Sequence, residues 1–145
     1  MAKSNQSLHR LGNPKRFSRL SAAVMPWLVV VTAALLLYGL YLALVVSPQD
    51  YLQEQTVRIM YVHVPSAWLA LGIYALMALC SAAYLVWRYP LADLIARNAA
   101  PIGACFTAIT LVTGSLWGKP MWGAWWVWDA RLTSVLVLLF LYMGY

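Results

Sequence analysis

Two short segments hold the residues best equipped for chemistry. The first reads Tyr61-Val62-His63-Val64-Pro65-Ser66-Ala67-Trp68, with an imidazole just ahead of a proline of the kind that opens helices. A neutral imidazole is a good iron ligand. A single histidine at a helix mouth can equally bond water or lipid headgroups, and the residues alone leave both roles open. The second segment runs from Trp117 through Gly118, Lys119, Pro120, Met121, Trp122, Gly123, Ala124, Trp125, Trp126, Val127, Trp128, Asp129, Ala130 and Arg131 to Leu132 and Thr133. Five of the chain's eight tryptophans fall within it, denser than the one or two anchors that an interfacial aromatic belt places at a helix end. Indole faces stack on flat ligands, and Gly118 and Gly123 let a backbone come close to one. Lys119 and Arg131 can hold carboxylates, Arg131 with both arms of its fork. Asp129 stands where the N-cap of a following helix belongs, and it can also anchor a basic group or an indole N–H.

The elements that must position these residues follow from composition. Of 145 residues, 63% are hydrophobic and 10% charged, against about 25% charged in an ordinary soluble domain. The pattern excludes a water-soluble globule, a disordered chain and a disulfide scaffold, and predicts an all-α, polytopic transmembrane bundle. A basic, cytoplasmic tail (1–21) precedes a membrane domain (22–145) with spans near 22–46, 65–87, 99–117 and 132–145. Pro26, Pro65 and Pro101 are expected in the opening turns of the first three. The formal charge of +6 does not indicate nucleic acid, because Lys3, Arg10, Lys15, Arg16 and Arg19 cluster ahead of the first span, where they act as a topology signal. With the N-terminus in the cytoplasm, that side holds these five plus Arg88 and Arg97, and the outer side holds only Arg58, Lys119 and Arg131. The outer loops are then 47–64 and 117–131. Asp50, Glu54 and Arg58, spaced four apart, predict a short surface helix in the first, with a Glu54–Arg58 ion pair. His9 and Asp93 read as solvated, and Cys80 and Cys105 as packing residues. The last apolar run, 132–145, makes about 21 Å of helix against a hydrocarbon core of about 30 Å. It reads as a truncated fourth span, and the chain as a fragment of a longer protein.

One outer-face histidine, a tryptophan platform on the same side and two cations are together satisfied by a planar, apolar, metal-containing dianion, and haem is such a molecule. The segment Trp117 to Thr133 resembles the tryptophan-rich "WWD" signature of the haem-handling membrane proteins. Tyr61 to Trp68 resembles the histidine-bearing element of the haem exporter protein C (CcmC) family of the cytochrome c maturation system. The resemblance covers nearly all of the chain beyond its tail. It implies a six-span protein of the inner membrane that brings haem b to the periplasmic face. There it would present the haem to a periplasmic haem chaperone, which captures it covalently and passes it on for attachment to apocytochromes c.

His63 would match the family's first axial histidine. Trp117, Trp122, Trp125, Trp126, Trp128 and Asp129 would match the signature that holds haem and meets the chaperone. ABC transporter subunits and a small accessory membrane protein are the implied partners, beside membrane lipid. The chain has no P-loop, so it is expected to be no enzyme and to draw energy from those subunits. The family's second axial histidine lies in a last outer loop that has no counterpart among these residues, which predicts weak or absent haem retention if the chain ends at Tyr145. Three readings compete: a cytochrome c synthase, which is longer and usually sets histidines on both sides of the signature; an ABC permease for another small solute, which would carry polar residues within its spans; and an assembly subunit without a ligand.

Overall fold

The computed structural model describes residues 14–145, with side chains from residue 18 onward. His9 and the first part of the basic tail lie outside the described residues. Helices α1 (Pro14–Tyr41), α2 (Val57–Trp87), α3 (Pro90–Trp122) and α4 (Ala130–Met143) make up the fold, with a π-helical stretch, Leu42–Val46, following α1. Among the described residues there is no strand, as expected for an all-α membrane protein. Three apolar stretches are long enough to cross a bilayer: Ser18–Val46, Val57–Trp87 and Pro90–Trp122. The shorter Ala130–Met143 is apolar as well.

The chain divides into one unit ending at Ser47 and another from Pro48 to Tyr145. In the first, α1 exposes apolar side chains such as Trp27, Val30 and Leu37, and a helix apolar all round suits lipid rather than water.

The core of the second unit lies among α2, α3 and α4. Helix α3 buries a line of small residues, Ala92, Ala96, Ala100, Gly103, Thr107, Thr110 and Gly118, at spacings that keep most of them on one face. Helix α2 buries Ser66, Ala70 and Met77. In a bilayer the lipid tails are as apolar as leucine, so association depends on close van der Waals packing, which small residues permit. Buried hydroxyls are satisfied within their own helices: Ser66 donates to the Val62 carbonyl (2.7 Å), Thr107 to Gly103 and Thr110 to Phe106 (2.8 Å each). Tyr142 of α4 closes the bundle. Its ring lies on Gly103, meets Tyr74 edge-on at 5.6 Å, and its hydroxyl donates to the Ala70 carbonyl of α2.

Several sequence expectations change. Pro26, Pro65 and Pro101 lie inside helices rather than in opening turns. Helices extend beyond the hydrocarbon limits used to place spans, and neighbouring helices and side chains let a bilayer protein tolerate interior prolines. Helix α3 begins at Pro90, directly after the two-residue link Arg88-Tyr89, and continues through Trp122. The expected loop 117–131 is therefore helical over its first six residues.

The expected surface helix in 47–64 is a turn over residues 50–56 instead, and Arg58 already belongs to α2. The Asp50 carboxylate accepts the amides of Leu52 and Gln53 at 2.9 Å, Asp50 and Glu54 form an isolated antiparallel bridge, and Glu54 has a left-handed φ of 50°. A short acidic side chain that captures nearby amides competes with the helix. Asp93 is paired with Arg97 one turn on at 2.9 Å rather than merely solvated. Cys80 packs on the core as expected, while Cys105 is exposed.

A Cβ at Gly103 would collide with the Tyr142 ring. Gly103→Ala is therefore expected to destabilise the bundle by about 1–3 kcal/mol, the usual cost of overpacking, and to lower its thermal midpoint in detergent. Gly72→Ala, where a Cβ meets nothing within 4 Å, should leave the midpoint unchanged.

Candidate functional site

His63 lies in the second turn of α2 and turns its imidazole toward the last third of α3. Nδ1 is 3.0 Å from the Thr113 hydroxyl. The ring sits so closely on Gly114 that a Cβ there would come within 3.1 Å of Cε1. Gly114 thus serves as a seat for the imidazole. The side chain is half-buried.

One turn further along α3 stands Trp117, whose indole N–H donates to Gln53 Oε1 at 2.9 Å. The Asp50 turn fixes Gln53. Its two amide hydrogen bonds, to Gln53 first and to Leu52 second, hold the Asp50 carboxyl below the usual carboxylate range. Thr56 reaches Met121 Sδ at 3.9 Å. The segment before α2 and the end of α3 are therefore joined by side chains.

The tryptophan segment folds onto itself. Trp122 meets Trp117 edge-on, with centroids 4.9 Å apart and planes at 88°, and Trp126 meets Trp128 at 5.5 Å and 76°. These edge-to-face pairs do not form the continuous flat surface that stacking on a platform predicts. Gly118 is buried where a Cβ would crowd Trp122 and the Ala124 carbonyl, at 3.3 and 3.4 Å. Gly123 caps α3 in the left-handed conformation, φ 77°, its amide donating to the Lys119 carbonyl at 3.0 Å. Both glycines are thus committed to the loop's own shape.

The cations are engaged as well. Lys119 donates to the Gly123 carbonyl (3.1 Å) and lies 5.9 Å from the centre of Trp125. Arg131 pairs with Asp129 at 2.9 Å and lies 4.9 Å from the centre of Trp122. Asp129 fills both roles read from the sequence: it caps α4 by accepting the Leu132 amide at 2.7 Å, and it holds Arg131. Its carboxyl is held below the ordinary range by the Leu132 amide first and by Arg131 second.

His63, Trp117 and Trp122 therefore occupy one end of the α2–α3 pair. Trp125 does not join them. It borders an open apolar recess of about 300 Å³ with Leu111, Val112, Ser115 and Leu116, on the face of α3 turned away from Thr113 and Gly114 at 100° per residue. Trp126 has a distinctive feature: its indole nitrogen is buried without a hydrogen-bond partner. An unmet buried donor costs about 1–3 kcal/mol, and an anionic acceptor would relieve it. Among the described residues no group of three or more His, Cys, Asp and Glu side chains that could hold a metal ion occurs.

Sequence reasoning missed Gln53, Thr113 and Gly114. The threonine alone left a trace, as a polar residue within an apolar span.

Residues 7–145 match the family model described as heme exporter protein C. The heme exporter protein C of Bradyrhizobium diazoefficiens is 55% identical over 134 residues, 92% of this chain and 51% of that protein. Its counterpart in Escherichia coli K12 is 50% identical over 139 residues, 96% of this chain and 57% of that protein. That of Paracoccus denitrificans is 45% identical over the same length, with the same coverage. The chain spans about half the length of these relatives.

Two outcomes follow from the geometry. Asp129 has a depressed folded-state value, so its stabilising contribution is complete above the unfolded value of about 4 and is lost as pH falls through the lower folded value. Protection of the Leu132 amide in hydrogen exchange should fall across that acid range in the wild type, and should be weak at every pH in Asp129→Ala. Gln53→Leu removes the acceptor of the Trp117 indole and should destabilise the fold by about 1–3 kcal/mol, read as a lower thermal midpoint in detergent.

Proposed function

The chain belongs to the haem exporter protein C family, and from that premise we propose that it binds haem at the outer end of the α2–α3 pair and hands it to a periplasmic haem chaperone for c-type cytochrome biogenesis. The observation that carries this reading is the contact of His63 with Thr113, one helical turn before Trp117 and its edge-on partner Trp122 on α3, followed in the chain by the buried Trp126 N–H that lacks an acceptor.

Haem is the cargo, in its b form, and His63 supplies an axial nitrogen to its iron. Trp117 and Trp122 offer ring edges and faces to the macrocycle, and the Trp126 N–H suits a propionate. Lys119 and Arg131 are exposed on the same segment. Arg131 is paired to Asp129 through one nitrogen, so it keeps other donors for a second carboxylate. Trp128, 76% exposed, is placed to meet the chaperone. The excess of basic residues in the tail and in the Arg88–Arg97 region supports a cytoplasmic N-terminus, which sets the tryptophan segment on the periplasmic side of the inner membrane. ABC transporter subunits and a small accessory membrane protein are its partners in this reading. The chain itself carries out binding and transfer rather than catalysis.

A permease for a polar solute is the less favoured reading. The buried hydroxyls of Ser66, Thr107 and Thr110 are all spent on carbonyls of their own helices, so they line no polar path.

In detergent, the chain titrated with hemin should develop a Soret band shifted from that of free hemin, and His63→Ala should abolish the shift. An unchanged band in His63→Ala would remove the histidine as ligand. Joint replacement of Trp122, Trp125 and Trp126 should abolish loading of the chaperone while membrane insertion persists. Loading at the wild-type level would remove the tryptophan segment from the handover.

A further inference from the structure

His63 has two ring nitrogens, and an axial ligand needs a lone pair on the one that faces the metal. Which nitrogen carries the proton is set by the hydrogen bond that the other side of the ring makes. In this structure that bond runs from Nδ1 to the Thr113 hydroxyl at 3.0 Å. A threonine hydroxyl has one hydrogen to give, and that of Thr113 has nearer claims upon it. The Ile109 carbonyl lies at 2.7 Å and the Thr110 carbonyl at 3.3 Å, both on its own helix. A hydrogen directed to Ile109 leaves the Thr113 oxygen to the imidazole as an acceptor, and only a protonated Nδ1 can use it. The neighbouring carbonyls are acceptors only and cannot supply a proton to Nδ1. Gly114 completes the arrangement, because a Cβ there would come within 3.1 Å of Cε1 and push the ring from its place beside Thr113 by a few tenths of an ångström.

We propose that Thr113, its hydroxyl donating to the Ile109 carbonyl, is a positioning residue that holds His63 in the Nδ1–H tautomer and so presents the Nε2 lone pair as the metal-binding atom, with Gly114 as the seat of the ring. The metal-binding part rests on the haem reading above. The tautomer itself does not, and it is measured without haem.

The test uses the full chain in detergent, with ¹⁵N-labelled histidine, at a pH where the imidazole is neutral. Two-dimensional NMR of His63, assigned by the loss of its signals in His63→Ala, reports the proton's position directly. The expected result is a protonated Nδ1 and an unprotonated Nε2 in the wild type. Thr113→Val should give a mixture of tautomers, and Thr113→Ser, which keeps the hydroxyl, should restore the wild-type pattern. A wild type protonated at Nε2, or a Thr113→Val spectrum identical to wild type, would overturn the proposal.

Hemin titration then tests the consequence. Loss of a second-sphere partner of a ligating histidine typically weakens metal affinity about 10–100-fold. Thr113→Val should lose affinity on that scale, with an altered iron–histidine stretching band in resonance Raman of the dithionite-reduced, five-coordinate complex, and Thr113→Ser should stay within about 2-fold of wild type. The expected tautomer in a wild type that shows no iron–histidine band would refute His63 as ligand while leaving Thr113 as the residue that fixes the proton. The expected band with the opposite tautomer would refute the role of Thr113 while leaving the haem reading intact.

Discussion

The close approach of α2 to α3 along a line of small side chains is the constraint on which the rest of the second unit depends. Ala96, Ala100, Gly103 and Thr107 are buried on α3, and their lack of bulk brings the two backbones together where lipid supplies no hydrophobic drive. That approach places the second turn of α2 beside the Thr110–Gly114 turns of α3. His63 meets Thr113 and Gly114 because the helices are that near, and a bulkier line of residues would carry the imidazole away from the tryptophan segment. Tyr142 depends on the same economy, since its ring occupies the space that a side chain at Gly103 would fill and its hydroxyl spans to Ala70.

Beyond this contact α3 runs into a segment whose polar groups are largely committed to one another. Lys119 holds Gly123, Arg131 holds Asp129, Asp129 caps α4, and Gln53 holds Trp117. Such a network fixes side chains before any ligand arrives, which lowers the ordering cost of binding. The Trp126 N–H stands outside this network. A segment that commits Lys119, Arg131 and Trp117 to its own groups and leaves one buried indole N–H unmet is suited to an acceptor brought from outside.

Much of this was legible in the sequence, and the remainder fails for physical reasons. Periodicity and hydropathy located α1, α2 and α3, and Asp129 announced itself as a cap by standing before an apolar run. Helix ends were misplaced because the spans were measured against the thickness of hydrocarbon, while Val57–Trp87 and Pro90–Trp122 continue past it. Pro65 and Pro101 read as opening residues on the same ground, whereas they lie inside α2 and α3. The Asp50–Glu54–Arg58 spacing fits a helix, but the Asp50 carboxylate satisfies the amides of Leu52 and Gln53 locally, and that contest between side chain and backbone is invisible in a spacing rule. Trp117 stands out in the sequence through its tryptophan-rich neighbours, and the structure ties its indole to Gln53. Gln53 and Thr113 were missed because they act on residues 64 and 50 positions away.

The proposed coordination of iron by His63 and the proposed contact of the tryptophan segment with the ring are separable, and one paired titration separates them. Quenching of tryptophan fluorescence is followed as hemin, and in parallel metal-free protoporphyrin, is added to the wild type and to His63→Ala in detergent. The account predicts that His63→Ala loses affinity for hemin while its affinity for protoporphyrin stays at the wild-type level, since the porphyrin keeps the ring and the propionates and lacks only the metal. Equal affinities of wild type and His63→Ala for hemin would contradict it.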